Sequence, residues 1–110
     1  MVIVKRFDVC LVDLDPTVGS EIKKTRPCLV ISPDSMNQSR LRTIIVVPMT
    51  STVRADFPTR INLEFQNKHG QIALDQIRTI DRSRIIKVLG SISKMELQNN
   101  ILQLLQIMFK

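Results

Sequence analysis

The 110-residue sequence contains no tryptophan, no tyrosine, four phenylalanines, three glycines, two cysteines and one histidine. Each scarcity closes off a class of protein. Few aromatic rings leave little of the stacking platform on which RNA-recognition-motif and cold-shock-type domains hold bases. Two thiols, Cys10 and Cys28, provide neither a disulfide framework nor a four-ligand zinc site. A ribonuclease using one histidine as base and another as acid is excluded by the lone His69. A Ser-His-Asp triad would hang on that same residue, and no Gly-x-Ser-x-Gly elbow is present. Three glycines form neither a Walker loop nor a Gly-x-Gly-x-x-Gly fingerprint, so no nucleotide cofactor is expected, and no metal either. No apolar run approaches the roughly 20 residues of a membrane span. Residues 1–6 lack the apolar stretch and small-residue cleavage site of a signal peptide. A cytoplasmic protein with reduced thiols is the expectation.

What is present is a globular balance of 44% hydrophobic and 24% charged residues, which argues against disorder. The length suits one domain, residues 1–110, with one modest core. Sixteen Lys and Arg face ten Asp and Glu, a formal net charge of +6 that attracts polyanions, nucleic acid first among them. Many small basic domains are merely solvated by such charge. Here the cations recur along the chain instead of forming a tail, so any binding surface is assembled by folding.

Short runs rich in β-branched and apolar residues, closed by turn residues, read as strands over 9–14, 27–32, 43–48, 60–65, 71–74 and within 84–92. Residues 60–65 alternate Ile61, Leu63 and Phe65 with Asn62 and Glu64, the pattern of a half-buried strand. The connections are too short for parallel crossovers, so the sheet is largely antiparallel. A short helix is expected over 34–39, and His69 falls in a turn over 67–70. Both cysteines lie inside apolar runs, where a small buried thiol is the usual role. Ser93 and Glu96 have the spacing of a capping box. Beyond them Leu97, Ile101, Leu104, Leu105 and Met108 fall on one helical face, with Leu102, Ile107 and Phe109 widening the stripe toward a deep seat. The predicted fold is mainly β with a C-terminal α-helix, a strongly bent sheet or partial barrel.

Two irregular segments, 15–25 and 50–59, are long for so small a domain, and such loops commonly carry function. The first, with the strand start that follows it, places Glu21, Lys23, Lys24 and Arg26 within six residues. Lys23 and Lys24 suit a solvated loop. Pro27 holds Arg26 extended, which gives its planar fork a defined direction toward a phosphate. The second loop opens Thr50-Ser51-Thr52 after a buried strand, where hydroxyls often only cap the turn. A third element runs from Asp75 through Gln76 and Arg78 to Asp81 and Arg82. For Arg78 and Asp81 the leading reading is a structural network of hydrogen bonds and ion pairs.

Three blocks in this order carry a resemblance: Asp13-Leu14-Asp15-Pro16 through Gly19-Ser20-Glu21 to Thr25-Arg26-Pro27, then Val47-Pro48-Met49-Thr50-Ser51, then Asp75-Gln76-Ile77-Arg78-Thr79-Ile80-Asp81. Together they resemble the MazF/PemK family of toxin endoribonucleases, and the likeness covers essentially the whole chain. The resemblance implies an SH3-like small barrel of the MazF/PemK/CcdB-like plasmid-toxin fold, a homodimer, metal-free cleavage of single-stranded RNA, and an acidic cognate antitoxin as partner. It places the family's catalytic arginine at Arg26, its hydroxyl partner at Thr50 and a loop acid at Glu21. Ser20, Lys23, Lys24, Ser51, Thr52, Asp75, Gln76 and Arg78 fall where substrate would be bound. Relatives that use an aspartate at the position of Asp75 carry an arginine where this chain has Ala73 and a histidine where it has Ser20. Phe7 stands where a glycine commonly precedes the first strand.

Metal-free RNA cleavage needs a base for the 2′-hydroxyl proton, charge to hold the phosphorane and an acid for the 5′-oxygen. Arg26 suits the middle task, Thr50 donates to the same oxygens, and Glu21 is the available base. Two alternatives stand beside the nuclease: a basic barrel that binds RNA without cutting it, and a gyrase-targeting toxin of the same fold.

Overall fold

The computed structural model describes residues 3–110. Strands β1 (Asp8–Asp13), β2 (Thr25–Val30), β3 (Thr43–Thr50), β4 (Arg60–Phe65), β5 (Lys68–Ala73), β6 (Arg78–Asp81) and β7 (Ile85–Ser91) alternate with α1 (Asp34–Asn37) and end in α2 (Met95–Met108). They run β4-β5-β3-β2-β1-β7 across one bent sheet, with β6 also on β3, and every pairing is antiparallel. The long strand β3 divides one edge between two partners. Thr43–Val46 pair with β6, whereas Met49 and Thr50 pair with β5. The changeover at Val47-Pro48 lets the β4–β5 hairpin leave the main sheet as a flap.

The central strands are apolar without alternation because both of their faces are covered. Val9, Leu29, Ile31, Val47 and Met49 join one core, beneath α2, with Leu63 and Ile72 from the flap. Cys10, Val12, Cys28, Val30, Ile44 and Val46 join a second core on the opposite face. The sheet therefore splits the expected single core in two. Both thiols have no exposed surface, and desolvation raises the Cys10 pKa to about 11 and that of Cys28 to about 12.

Four local expectations are corrected. The segment 78–81 is a strand. Only Ile80 in it is buried, so its polar ends hide the pattern. The hairpin turn lies at Gln66-Asn67, both with positive φ, the geometry of a two-residue I′-type loop, and His69 belongs to β5. Helix α2 starts after Lys94 with no side-chain cap, one residue beyond the expected Ser93, and the Ile92 amide is still bonded to the Phe7 carbonyl. The seat of α2 is shallow. Ile101 alone is fully buried, worth about 1.5–3 kcal/mol, while Leu97, Leu102, Leu104, Leu105 and Met108 are half-buried and Ile107 and Phe109 exposed. At Phe7 φ is +73°, a left-handed conformation that costs a non-glycine residue on the order of 1–3 kcal/mol. Burial of its ring on the first core offsets that strain.

Candidate active site

The site forms where β2 begins and β3 ends. The β2–β3 ladder ends at Cys28–Pro48, two residues short of both Arg26 and Thr50, and these two line one cavity beyond it. On the other edge of β3, Thr50 stands opposite Gln71 of the flap. That approach requires Gly70: a Cβ there would lie 2.6 Å from the Thr50 carbonyl oxygen. Gln71 is buried and fixes the flap by bonding the Asn62 side chain at 2.8 Å and both backbone groups of Arg54 at 2.9 and 3.2 Å.

Between these strands opens a cavity of about 530 Å³ whose polar lining includes Lys24, Arg26, Thr50, Ser51, Lys68 and His69. Met49, Leu63, Phe65 and Leu89 supply apolar walls, and no Asp or Glu lines it. Its electrostatics favour an anion. The Arg26 Nε donates to the Lys23 carbonyl at 2.7 Å. This anchor uses one of five guanidinium N–H groups and leaves the paired Nη groups to meet two phosphoryl oxygens. The Thr50 Oγ1 accepts from the Thr52 amide at 3.1 Å, so the hydroxyl caps its turn and keeps its own hydrogen to donate.

Glu21 does not join them. It lines a neighbouring cavity of about 280 Å³ with Asp75, Gln76 and Arg78, and its Oε1 accepts from the Val18 amide at 2.5 Å. The polar groups around this second cavity hold the first loop. Gln76 Oε1 accepts from the Ile22 amide at 3.2 Å, and Arg78 donates to the Leu14 carbonyl at 3.1 Å. The Asp81 carboxylate accepts from the Ser83 amide at 2.8 Å and caps the turn that follows β6. Asp75 receives two bonds from Arg60, at 2.7 and 3.1 Å, and one from Thr59 at 2.9 Å. The Arg60 hydrogen bonds hold its carboxyl below its usual pKa. Arg60, on β4, stands directly opposite Ala73 of β5. Ser20, Lys23 and Thr52 line neither cavity.

Sequence reasoning missed Lys68, His69 and Phe65, which the flap carries into the first cavity. The signal available was the two-residue turn at 66–67, which folds residue 68 back onto Phe65. Among the described residues no group of three or more His, Cys, Asp or Glu side chains is placed to hold a metal ion.

The comparisons agree with this architecture. The sequence profile of PemK-like, MazF-like toxins of type II toxin-antitoxin systems matches residues 5–109. The chain is 34% identical over 101 residues to endoribonuclease MazF9 of Mycobacterium tuberculosis, covering 84% of this chain and 86% of that protein. It is 38% identical over 87 residues to endoribonuclease EndoA of Bacillus subtilis, covering 76% and 75%. An endoribonuclease from a mycobacterial species, solved with its cognate antitoxin, shares the fold with a TM-score of 0.73 at 21% identity, over 96% of this chain and 91% of that one. The chain therefore belongs to the PemK-like, MazF-like toxins of type II toxin-antitoxin systems.

Proposed function

We propose that this toxin, acting as one domain over residues 1–110, is a metal-independent endoribonuclease that cleaves single-stranded messenger RNA at a short base sequence and so blocks translation and growth. The 2′-hydroxyl attacks the adjacent phosphorus and the 5′-oxygen leaves, giving a 2′,3′-cyclic phosphate (or the 3′-phosphate from its hydrolysis) and a 5′-hydroxyl. The observation that carries this reading is the cavity lined by Arg26 and Thr50, near the ends of paired strands, with no Asp or Glu of the described residues in its lining. Charge gathers on the phosphorane, and the guanidinium fork and the threonine hydroxyl are donors already fixed where it develops. Lys24 and Lys68 draw the backbone in, and Phe65 offers a ring edge to a base. Glu21, bonded to Val18 in the neighbouring cavity, shapes the loop in this mechanism.

The partner of the toxin is its antitoxin. An acidic, partly apolar antitoxin segment suits the same cavity, its carboxylates on Arg26, Lys24 and Lys68 and its side chains on the apolar wall. The toxin is taken to act in the cytoplasm as a homodimer. In support, Ile86 and Val88 on the edge strand β7 lie 54% and 42% exposed. No helix among the described residues is long and apolar enough to cross a membrane.

The test is incubation of purified protein with single-stranded RNA in EDTA, followed by mapping of the cut ends. Arg26→Ala should slow cleavage by about 10²-fold or more, with Thr50→Val costing less. Both variants should keep the circular dichroism of the parent. DNA of the same sequence should bind and stay intact, lacking the 2′-hydroxyl. Parent rates in both variants would move the chemistry elsewhere.

A further inference from the structure

Resting on that nuclease reading, we propose that His69 is the general acid of the cavity, its imidazolium delivering a proton to the 5′-oxygen as the P–O5′ bond breaks. The cavity that holds Arg26 and Thr50 contains one side chain able to exchange a proton near neutral pH, since its other ionisable groups are Lys24, Arg26 and Lys68. The carboxylates of the neighbouring cavity are committed, Asp75 to Arg60 and Glu21 to Val18. Of the acid-base candidates among the described residues, His69 is the one that lines the cavity of Arg26 and Thr50.

Its position is built by the fold. Gly70, the next residue, lies against the Thr50 carbonyl, and Gln71 beyond it is buried and bonded to both Asn62 and Arg54. His69 is thus fixed one residue from the closest approach of the flap to the catalytic strand. The charged groups around it are Glu64 from β4, whose Oε2 lies 3.9 Å from Nε2, Lys68 beside it on β5, and Lys24 and Arg26 across the cavity. The side chain is 83% exposed, so water reprotonates it after each turnover.

The step balances with solvent. The 2′-oxygen forms a bond to phosphorus and gives its proton to water, while the P–O5′ bond breaks and O5′ takes the proton from His69. The neutral imidazole then recovers a proton from water.

The experiment compares two RNAs carrying one cleavable linkage, one with the natural 5′-oxygen and one with sulfur in its place, a leaving group that needs no proton. His69→Gln should slow the oxygen substrate by about 10²-fold, the lower end for general acid catalysis, and leave the sulfur substrate near the parent rate. The logarithm of the parent rate should rise with pH and level off as the imidazole deprotonates, whereas that of His69→Gln keeps rising, so the deficit closes at alkaline pH. Equal slowing of both substrates, or none, would overturn the assignment. Arg26→Ala must slow both substrates. A parent protein that cuts neither overturns the nuclease reading itself, and the proton donor with it.

Discussion

Gly70→Ala tests whether the flap and the catalytic strand are as tightly engaged as the structure has them. The added Cβ would stand 2.6 Å from the Thr50 carbonyl oxygen, against 3.4 Å where ordinary contact begins, an overlap of 3.4 − 2.6 = 0.8 Å. The atom in the way is backbone and cannot rotate aside. Relief must come from the end of β3 or from β5, which are joined there by only two registered pairs, Met49–Ile72 and Thr50–Gln71. Overpacking of this kind costs about 1–3 kcal/mol, a fall in Tm of roughly 4–13 °C for a chain of this size. A retreat of nearly an ångström also carries Thr50 away from Arg26, and misplacement on that scale costs about 10²-fold in rate. Gly19→Ala is the control. Its φ of +57° makes an alanine there strained by about 1–2 kcal/mol, yet nothing lies within 4 Å of the added methyl. Thermal unfolding and cleavage of a fluorogenic RNA, both at fixed protein concentration, read the two variants. Both should lose stability, and only Gly70→Ala should lose cleavage out of proportion. Parent cleavage by Gly70→Ala, or equal loss in the two, would refute the reasoning.

Asp75→Asn should cost about 0.5–1 kcal/mol at pH 7, the value of a well-formed but solvent-screened ion pair. The Asp75 pKa is lowered in the fold, so its contribution is present above the ordinary carboxylate range and lost as pH falls through the folded value. Urea unfolding should separate variant from parent at pH 7 and bring them progressively together as pH falls below the ordinary carboxylate range. The two buried thiols titrate at about 11 and 12 in the fold, so they stay protonated and unreactive toward a thiol reagent at pH 8 until urea unfolds the chain. Because those values are raised, the stability they contribute is whole below the ordinary thiol pKa of about 8.5 and is lost as pH climbs toward 12. Replacing both by alanine should flatten that alkaline decline in unfolding midpoints.

Several elements were legible because their signals are local. Residues 60–65 alternate and form β4 with those very bounds. The apolar stripe of residues 97–108 packs on the first core through Ile101. Other elements were hidden because distant residues decide them. The positive φ at Phe7 carried no local signal of its own in the sequence. Strand β6 exists because β3 has a free edge for it, and its own four residues carry little apolar pattern. Ser93 has the right spacing for a cap, yet the helix begins one residue later, at the N-cap Lys94. The partner of Asp75 is Arg60, fifteen residues away in sequence and brought beside it by the β4–β5 ladder.

Alone, the sequence determined the mainly β class, the terminal helix, the buried thiols and the family, since each rests on residue type and short spacing. Tertiary structure decided which polar groups share a cavity. Arg26, Thr50 and His69 come from three strands brought together by the register of β2, β3 and β5 and by the clearance at Gly70. Glu21, close to Arg26 in sequence, is turned into the neighbouring cavity by its own loop. Proximity between strands is set by pairing and packing over the whole sheet, and no short stretch of sequence encodes it.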